Sequence, residues 1–446
     1  MPVPRVLLLI ALAPLLAGCS TYAHQVTEIR QAYYRNDLAA ADALIEKGLE
    51  RQRGDTDVLR LEAAMVKLTQ GKPAEAEAIL RQVRDRFDHY EGVSAGEEVV
   101  ATWTDDQHRA YAGEDYERVL IRAFLALSNL LYDGRDAEAY ALQMIDKQEQ
   151  IIQAGEGTEG DTNARLKNDF PRVALAPYLC GILREATHRD FDDAGRCYAS
   201  VVSWQPGFAA ASDDLQRALH GRHSPPGYGV LYVFALTGRG PYKQEVIEVP
   251  SSAALLIAGE IVSHVADQSV PPNVAPVKVP RVVARPNAIQ SLAVAVDGGV
   301  IGHTTTITDV TELAVRQSEA AFPRVVARAV ARRVLKKGVM YGAKEIAEVS
   351  KGSVASLAVD LAGVAWEATE SADTRCWGLL PDKIQVLRVE LPAGEHDLQL
   401  MPVVARSTVP NAAVRRRIPI ADGRNTYLLA TFPDDQLVGD LLINAY

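Results

Sequence analysis

Tyr34-Arg35-Asn36-Asp37-Leu38-Ala39-Ala40-Ala41 lies over Thr69-Gln70-Gly71-Lys72-Pro73-Ala74-Glu75-Ala76 at an offset of 35 residues, and this pairing decides how the first half of the chain is read. The same turn followed by alanines returns at Asp133-Gly134-Arg135-Asp136-Ala137-Glu138-Ala139. It returns again at Arg189-Asp190-Phe191-Asp192-Asp193-Ala194, closed by Trp204-Gln205-Pro206. A period of about 34 residues, with small residues where two helices meet and a closing proline, is the signature of tetratricopeptide-like helix hairpins. Each hairpin cannot bury its apolar face alone, so neighbours must stack. The spacing is irregular. The expectation is therefore a degenerate array over residues 19–222, with a long insertion around residues 88–113; a helical bundle without true repeats is the other reading.

Upstream of the array, Arg5 supplies a positive start and Val6 to Leu16 a short apolar run. Leu16-Ala17-Gly18-Cys19 then supplies the small residues and the cysteine of a bacterial lipobox. The run is too short to span a bilayer. Residues 1–18 read as a lipoprotein signal peptide, with Cys19 lipidated as the mature N-terminus. Ser20 after it, rather than aspartate, directs the protein to the outer membrane, facing the periplasm.

Two strings inside the array look enzymatic and lack the context for it. Gly92-Val93-Ser94-Ala95-Gly96 matches a nucleophile elbow, which needs a strand before the serine, but the charged helical stretch Arg81 to Asp88 precedes it. Gly155-Glu156-Gly157-Thr158-Glu159-Gly160 matches a dinucleotide fingerprint, yet two glutamates inside it would repel phosphate. It reads as a loop.

Leu219 to Gly227 is dense in breakers and reads as the link to a second domain at 227–446. His220 and His223 within it read as a solvated pair, not a metal site. Beyond the link the period changes to that of strands. Gly229 to Ala235 and Gln244 to Val249 flank the turn Thr237-Gly238-Arg239-Gly240-Pro241. Further strands are expected at Ser291 to Val296, Thr304 to Thr308, Ile384 to Leu391, Asp397 to Met401, Arg416 to Ile420 and Asn425 to Thr431. A helical insertion at about 312–370 interrupts them. The fold class is thus α+β, a helical array followed by a β-rich, sandwich-like domain with a helical insertion.

In that insertion Arg324, Arg328, Arg332 and Lys336 recur every four residues and share one helix face. The stripe reads either as a contact for an anionic surface, lipid headgroups or an acidic partner, or as a charged face that is solvated or packed on the chain's own acidic repeats. The charge is divided unevenly: residues 19–220 hold 23 basic and 35 acidic residues, residues 221–446 hold 23 and 22. Nucleic acid is excluded as a partner of the acidic half, because its phosphates would be repelled.

Three cysteines remain besides Cys19. Cys180 and Cys197 sit about equally far from the turn near His188-Arg189, so they face each other across a hairpin, as a disulfide or as two buried thiols. No cysteine pair has zinc-finger spacing. No metal, cofactor or catalytic residue is expected.

The chain resembles an uncharacterised family of bacterial lipoproteins that join degenerate tetratricopeptide-like repeats to a β-rich C-terminal part. The words that carry the resemblance are Gly113-Glu114-Asp115-Tyr116-Glu117-Arg118, Thr237-Gly238-Arg239-Gly240-Pro241-Tyr242-Lys243, Ala327-Arg328-Ala329-Val330-Ala331-Arg332, and Asp373-Thr374-Arg375-Cys376-Trp377 followed by Leu380-Pro381. A serine usually stands in that family where this chain has Cys376, which implies no required thiol there. The resemblance implies a non-enzymatic role near peptidoglycan or envelope assembly. The expected function is that of a membrane-anchored scaffold for another envelope protein, and the competing class is an envelope hydrolase with a site in the C-terminal half.

Overall fold

The computed structural model describes residues 19–50, 56–101, 111–153, 171–265, 269–271, 274–349 and 371–445. The first half is helical. Helices α1 (Cys19–Tyr34) and α2 (Leu38–Glu50), α3 (Thr56–Thr69) and α4 (Pro73–Ala101), α5 (Asp115–Leu130) and α6 (Ala137–Gln153), and α7 (Leu175–Glu185) and α8 (Phe191–Trp204) form four consecutive hairpins, followed by α9 (Ala210–Leu219). Each hairpin turns at a residue with left-handed φ: Asn36, Gly71, Gly134 and His188. A residue in that conformation closes a helix because its backbone turns away while the last carbonyls find partners. Asn36 N–H donates to the Tyr33 carbonyl and Gly134 N–H to that of Asn129. Asp37 then caps α2 by accepting from Ala40 N–H at 3.0 Å. The recurring turn in the sequence is this device. The insertion expected around 88–113 is in part a continuation of α4 to Ala101; residues 102–110 lie outside the described chain.

The second half holds two main sheets. One has the order β12–β11–β1–β7–β6 (Leu442–Ala445, Asn425–Phe432, Tyr228–Arg239, Pro381–Pro392, Thr305–Asp309). The other has the order β10–β8–β4–β5 (Val414–Ile420, Gly394–Val404, Ile289–Val296, Gly299–His303), with β9 (Ser407–Thr408) beside β8. β1 is central: it runs parallel to β11 and antiparallel to β7. Its unbroken apolar run is what a strand covered on both faces requires. Val230, Tyr232, Phe234 and Leu236 join the core of the helical array. Leu231, Val233 and Ala235 face Leu292, Val294, Leu398 and Leu400 of the second sheet. The molecule is therefore three layers deep, helices on sheet on sheet, and the helical and β halves share one continuous core.

A third, separate core joins the two-stranded β2–β3 ribbon (Tyr242–Glu248, Val277–Val283) to α10 (Ser252–Val265) and α11 (Val310–Val349). Two sequence expectations change here. The strands flanking Thr237 to Pro241 do not form a hairpin: β1 continues through Thr237 to Arg239, and β2 pairs only with β3. β3 and α10 were not expected; Pro280 inside β3 masks its strand character. The helical insertion is present as α11, whose Asp309 cap accepts from Glu312 N–H at 2.9 Å; residues 350–370 lie outside the described chain. Among the described residues no helix is long and apolar enough to cross a membrane.

Candidate functional site

The first helices of the second, third and fourth hairpins (α3, α5 and α7) are buried almost all round, and each carries a fully buried glutamate. A buried carboxylate must be matched by donors or it costs several kcal/mol. Here a large part of the donors comes from the β half. Glu62 on α3 accepts from Arg30 Nε and Nη2 at 3.0 and 2.8 Å, from Gly378 N–H at 3.1 Å and from Leu379 N–H at 2.9 Å. Glu117 on α5 accepts from Trp377 N–H at 2.8 Å, from Glu114 N–H at 3.1 Å and from the Tyr111 hydroxyl. Burial pushes its carboxyl above the usual range, against the pull of Lys243. Glu185 on α7 accepts from Arg217 at 2.8 Å, from the Tyr198 hydroxyl at 2.7 Å and from Arg388 of β7 at 3.3 Å.

The segment 371–380 is thus a strap laid across α1, α3 and α5. Arg30 also donates to the Cys376 carbonyl, and Tyr34 donates to that of Gly378. Gly378 is required by close approach: a Cβ there would overlap the Arg30 guanidinium. Three of the four stretches quoted for the resemblance meet at this seam. Glu114 pairs with Lys243, Trp377 N–H reaches Glu117, and Gly240 N–H donates to the Leu380 carbonyl at 2.8 Å.

Where the strap, α1 and the β1–β2 corner meet, a cleft of about 370 Å³ opens. Ligand sites commonly run from about 300 to 1,000 Å³. Val26, Thr27, Arg30, Gln31 and Tyr34 of α1 form one wall; Arg239, Tyr242, Lys243 and Arg285 form the other; Thr374 and Cys376 form the floor. The lining has four cationic side chains and no carboxylate. Three of the four have acids behind them: Arg30 has Glu62, Lys243 has Glu114 and Arg239 has Asp434 at 2.5 Å. Arg285 instead donates to the Tyr34 hydroxyl at 3.2 Å and stacks 4.7 Å from the Tyr242 ring centroid. Arg239 lies 4.2 Å over the Tyr34 ring. Burial raises the Tyr34 hydroxyl above its ordinary range, against the pull of Arg285, Arg30 and Arg239. Burial likewise works to strip the Lys243 ammonium, but Glu114, Asp373 and Glu117 outweigh it and its pKa is raised. An array of this kind can bind and orient an anion.

The residues singled out from sequence are dispersed. Cys19 begins α1. Cys180 is buried and Cys197 half-buried, on facing helices α7 and α8; both are free thiols. A hydrogen bond between them holds the Cys180 thiol above its ordinary range and the Cys197 thiol below. In the basic stripe Arg328 is exposed and Arg324 half-buried, but Arg332 is only 7% exposed, beside the buried Val330 and Ala331; the Lys336 side chain lies outside the described residues. Ser94 lies within helix α4, with no strand before it, and residues 155–160 lie outside the described chain. His223 is not solvated as expected: it is buried against Asn425 at 2.7 Å, its ring 4.6 Å from that of His188. Among the described residues no group of three or more His, Cys, Asp or Glu could hold a metal.

The sequence signal for the seam was present: Glu62 interrupts the apolar run Leu61 to Val66. No such signal exists for the cleft, whose cations are drawn from residues 30, 239, 243 and 285 and meet only through the topology. No family model, curated protein or solved structure matches the chain.

Proposed function

We propose that the chain is a lipid-anchored, non-catalytic adaptor of the bacterial envelope, tethered through Cys19 to the outer membrane on its periplasmic side. Its tetratricopeptide-like hairpins hold another envelope protein during peptidoglycan or envelope assembly. One observation carries this reading. The first helices of the second to fourth hairpins are covered by the chain's own sheet, whereas the second helices keep an exposed, charged face, on which Glu46, Glu75, Asp85, Asp146 and Asp192 lie among Lys47, Arg81, Arg86 and Arg196. The face left for a partner is the outer one, and it favours a basic or polar surface whose rim charges tune the rate of association.

Photo-crosslinking in intact cells tests the reading, with probes along α2, α4, α6 and α8. A discrete partner recovered from the outer helices supports it. No partner at any position, together with turnover of an envelope substrate by the purified protein, would replace it with the hydrolase reading. Incorporation of a fatty-acid analogue, absent in Cys19→Ala, tests the anchor.

A further inference from the structure

The cleft between α1, the β1–β2 corner and the strap is not part of the outer adaptor face. Its four cations lie close together and partly out of water, where mutual repulsion is less screened than at a free surface. Three are neutralised from behind; Arg285 meets a hydroxyl and an aromatic ring, and no carboxylate among the described residues. The walls add further donors, the Thr374 hydroxyl and the Gln31 amide. Guanidinium forks with a neighbouring ammonium suit a tetrahedral oxyanion, because each fork spans two oxygens of a phosphate. Stacking on Tyr34 and Tyr242 holds the Arg239 and Arg285 side chains in place, so less rotamer freedom is lost on binding.

The position adds a second argument. Val26, at the near end of the cleft, lies seven residues after Cys19 on the same helix. At about 1.5 Å per residue this is roughly 10 Å. With Cys19 lipidated, a step that rests on the proposed anchoring, the cleft lies at the depth of the headgroups.

We infer that this cleft is a binding site for a phosphate ester, with Arg285 as its principal fork and Arg30, Arg239 and Lys243 completing the cage. The ester is carried by an anionic lipid headgroup or by a soluble phosphorylated compound.

The test uses the full mature chain with Cys19→Ser, so that binding does not depend on the anchor. Glycerol 3-phosphate and inorganic phosphate are titrated calorimetrically. Phosphatidylcholine vesicles with and without phosphatidylglycerol are tested by co-sedimentation. Binding of the soluble phosphates that falls at least ~10-fold in Arg285→Ala, recovers in part in Arg285→Lys and is unchanged in the distant Arg416→Ala supports the site. Vesicle binding that needs phosphatidylglycerol and Arg285 assigns the ester to lipid; indifference of the vesicle arm to composition, with soluble binding intact, assigns it to a soluble compound. No binding of any of these probes, or binding that Arg285→Ala leaves unchanged while the denaturation midpoint is also unchanged, overturns the inference. Neither result bears on the outer face, which crosslinking tests separately, and the soluble arm stands even if Cys19 carries no lipid.

Discussion

The seam and the cleft are neighbours built from the same kinds of side chain, and they treat charge in opposite ways. At the seam Glu62 is fully buried and meets two backbone N–H groups and a guanidinium. At the cleft Arg285 is half-buried and meets no carboxylate among the described residues. Arg30 belongs to both, its Nε and Nη2 spent on Glu62 while its flank lines the cleft. The difference teaches where charge is structural. A buried ion whose lone pairs are all matched fixes the register of two layers, and its removal leaves its partners stranded. A cation held by a ring and one hydroxyl leaves its other donors for something else.

The sharpest way to break this contrast is Glu62→Ala. It takes the carboxylate away from the Arg30 guanidinium and leaves the N–H groups of Gly378 and Leu379 without their acceptor in a buried seam, and the expected loss is about 3–5 kcal/mol. The urea midpoint at constant slope measures it. A loss under about 1 kcal/mol would mean that water enters the seam and the carboxylate is not structural. Arg285→Ala, by contrast, removes one hydrogen bond to the Tyr34 hydroxyl and a stack on Tyr242, and should cost no more than about 1 kcal/mol.

The basic stripe of α11 offers the same contrast within one helix. Arg332→Glu places a carboxylate at a position only 7% exposed and should cost about 3 kcal/mol or more. Arg328→Glu, on an exposed position, should stay within about 0.5 kcal/mol. It is the member of the stripe whose reversal reads surface contact cleanly. If anionic vesicles bind the unlipidated chain through α11, Arg328→Glu lowers that binding without touching stability. Equal destabilisation by the two reversals would refute the burial difference.

Gly378→Ala sharpens the boundary between the regions. Its methyl group would occupy the space of the Arg30 guanidinium, which has to leave either Glu62 or the cleft wall. The expected cost is about 1–3 kcal/mol, that of overpacking, and it comes with weaker phosphate binding in the same variant. Full stability and unchanged binding together would show that Arg30 can move aside freely.

Much of the fold was legible. The turn words located all four hairpins because a left-handed helix end needs asparagine, glycine or a similarly tolerant residue, and Asn36, Gly71 and Gly134 announce it. His188 is the less tolerant exception, held there with Nε2 2.7 Å from the Gly423 carbonyl oxygen. β1 and β11 were legible from unbroken apolar runs. β3 was not, because Val277-Lys278-Val279-Pro280-Arg281 puts a proline at its centre; the ribbon tolerates it because β3 pairs with β2 alone. Of the site, only Glu62 left a local signal, by interrupting the apolar run Leu61 to Val66. The strap's hydrogen bonds join residues more than 250 positions apart, and no spacing along the chain encodes that pairing.

The smallest effect is one of pH, and it sets two histidines against each other. His223, buried at the seam, has its pKa lowered by burial, with His188 and Arg388 adding to the effect against the Asn425 hydrogen bond. The folded state therefore holds it neutral. Its contribution is complete above the unfolded value of about 6.5 and is lost as pH falls from there towards the folded value. His396 lies on β8, with Nδ1 2.7 Å from Asp297 Oδ2 and Nε2 2.8 Å from the Pro392 carbonyl oxygen. Both ring nitrogens face acceptors. Burial opposes the charge, but the Asp297 hydrogen bond wins and the pKa is raised. Its contribution is complete below about 6.5 and fades as pH rises through the folded value. Each slope is at most about 1.4 kcal/mol per pH unit. The stability advantage of the natural chain over His223→Gln should therefore shrink from pH 7 to 5, while its advantage over His396→Gln should shrink from pH 6 to 8. Denaturation midpoints across that range measure both. Parallel curves for the natural chain and His223→Gln would show that this histidine is no more protected from protons in the folded seam than in the unfolded chain.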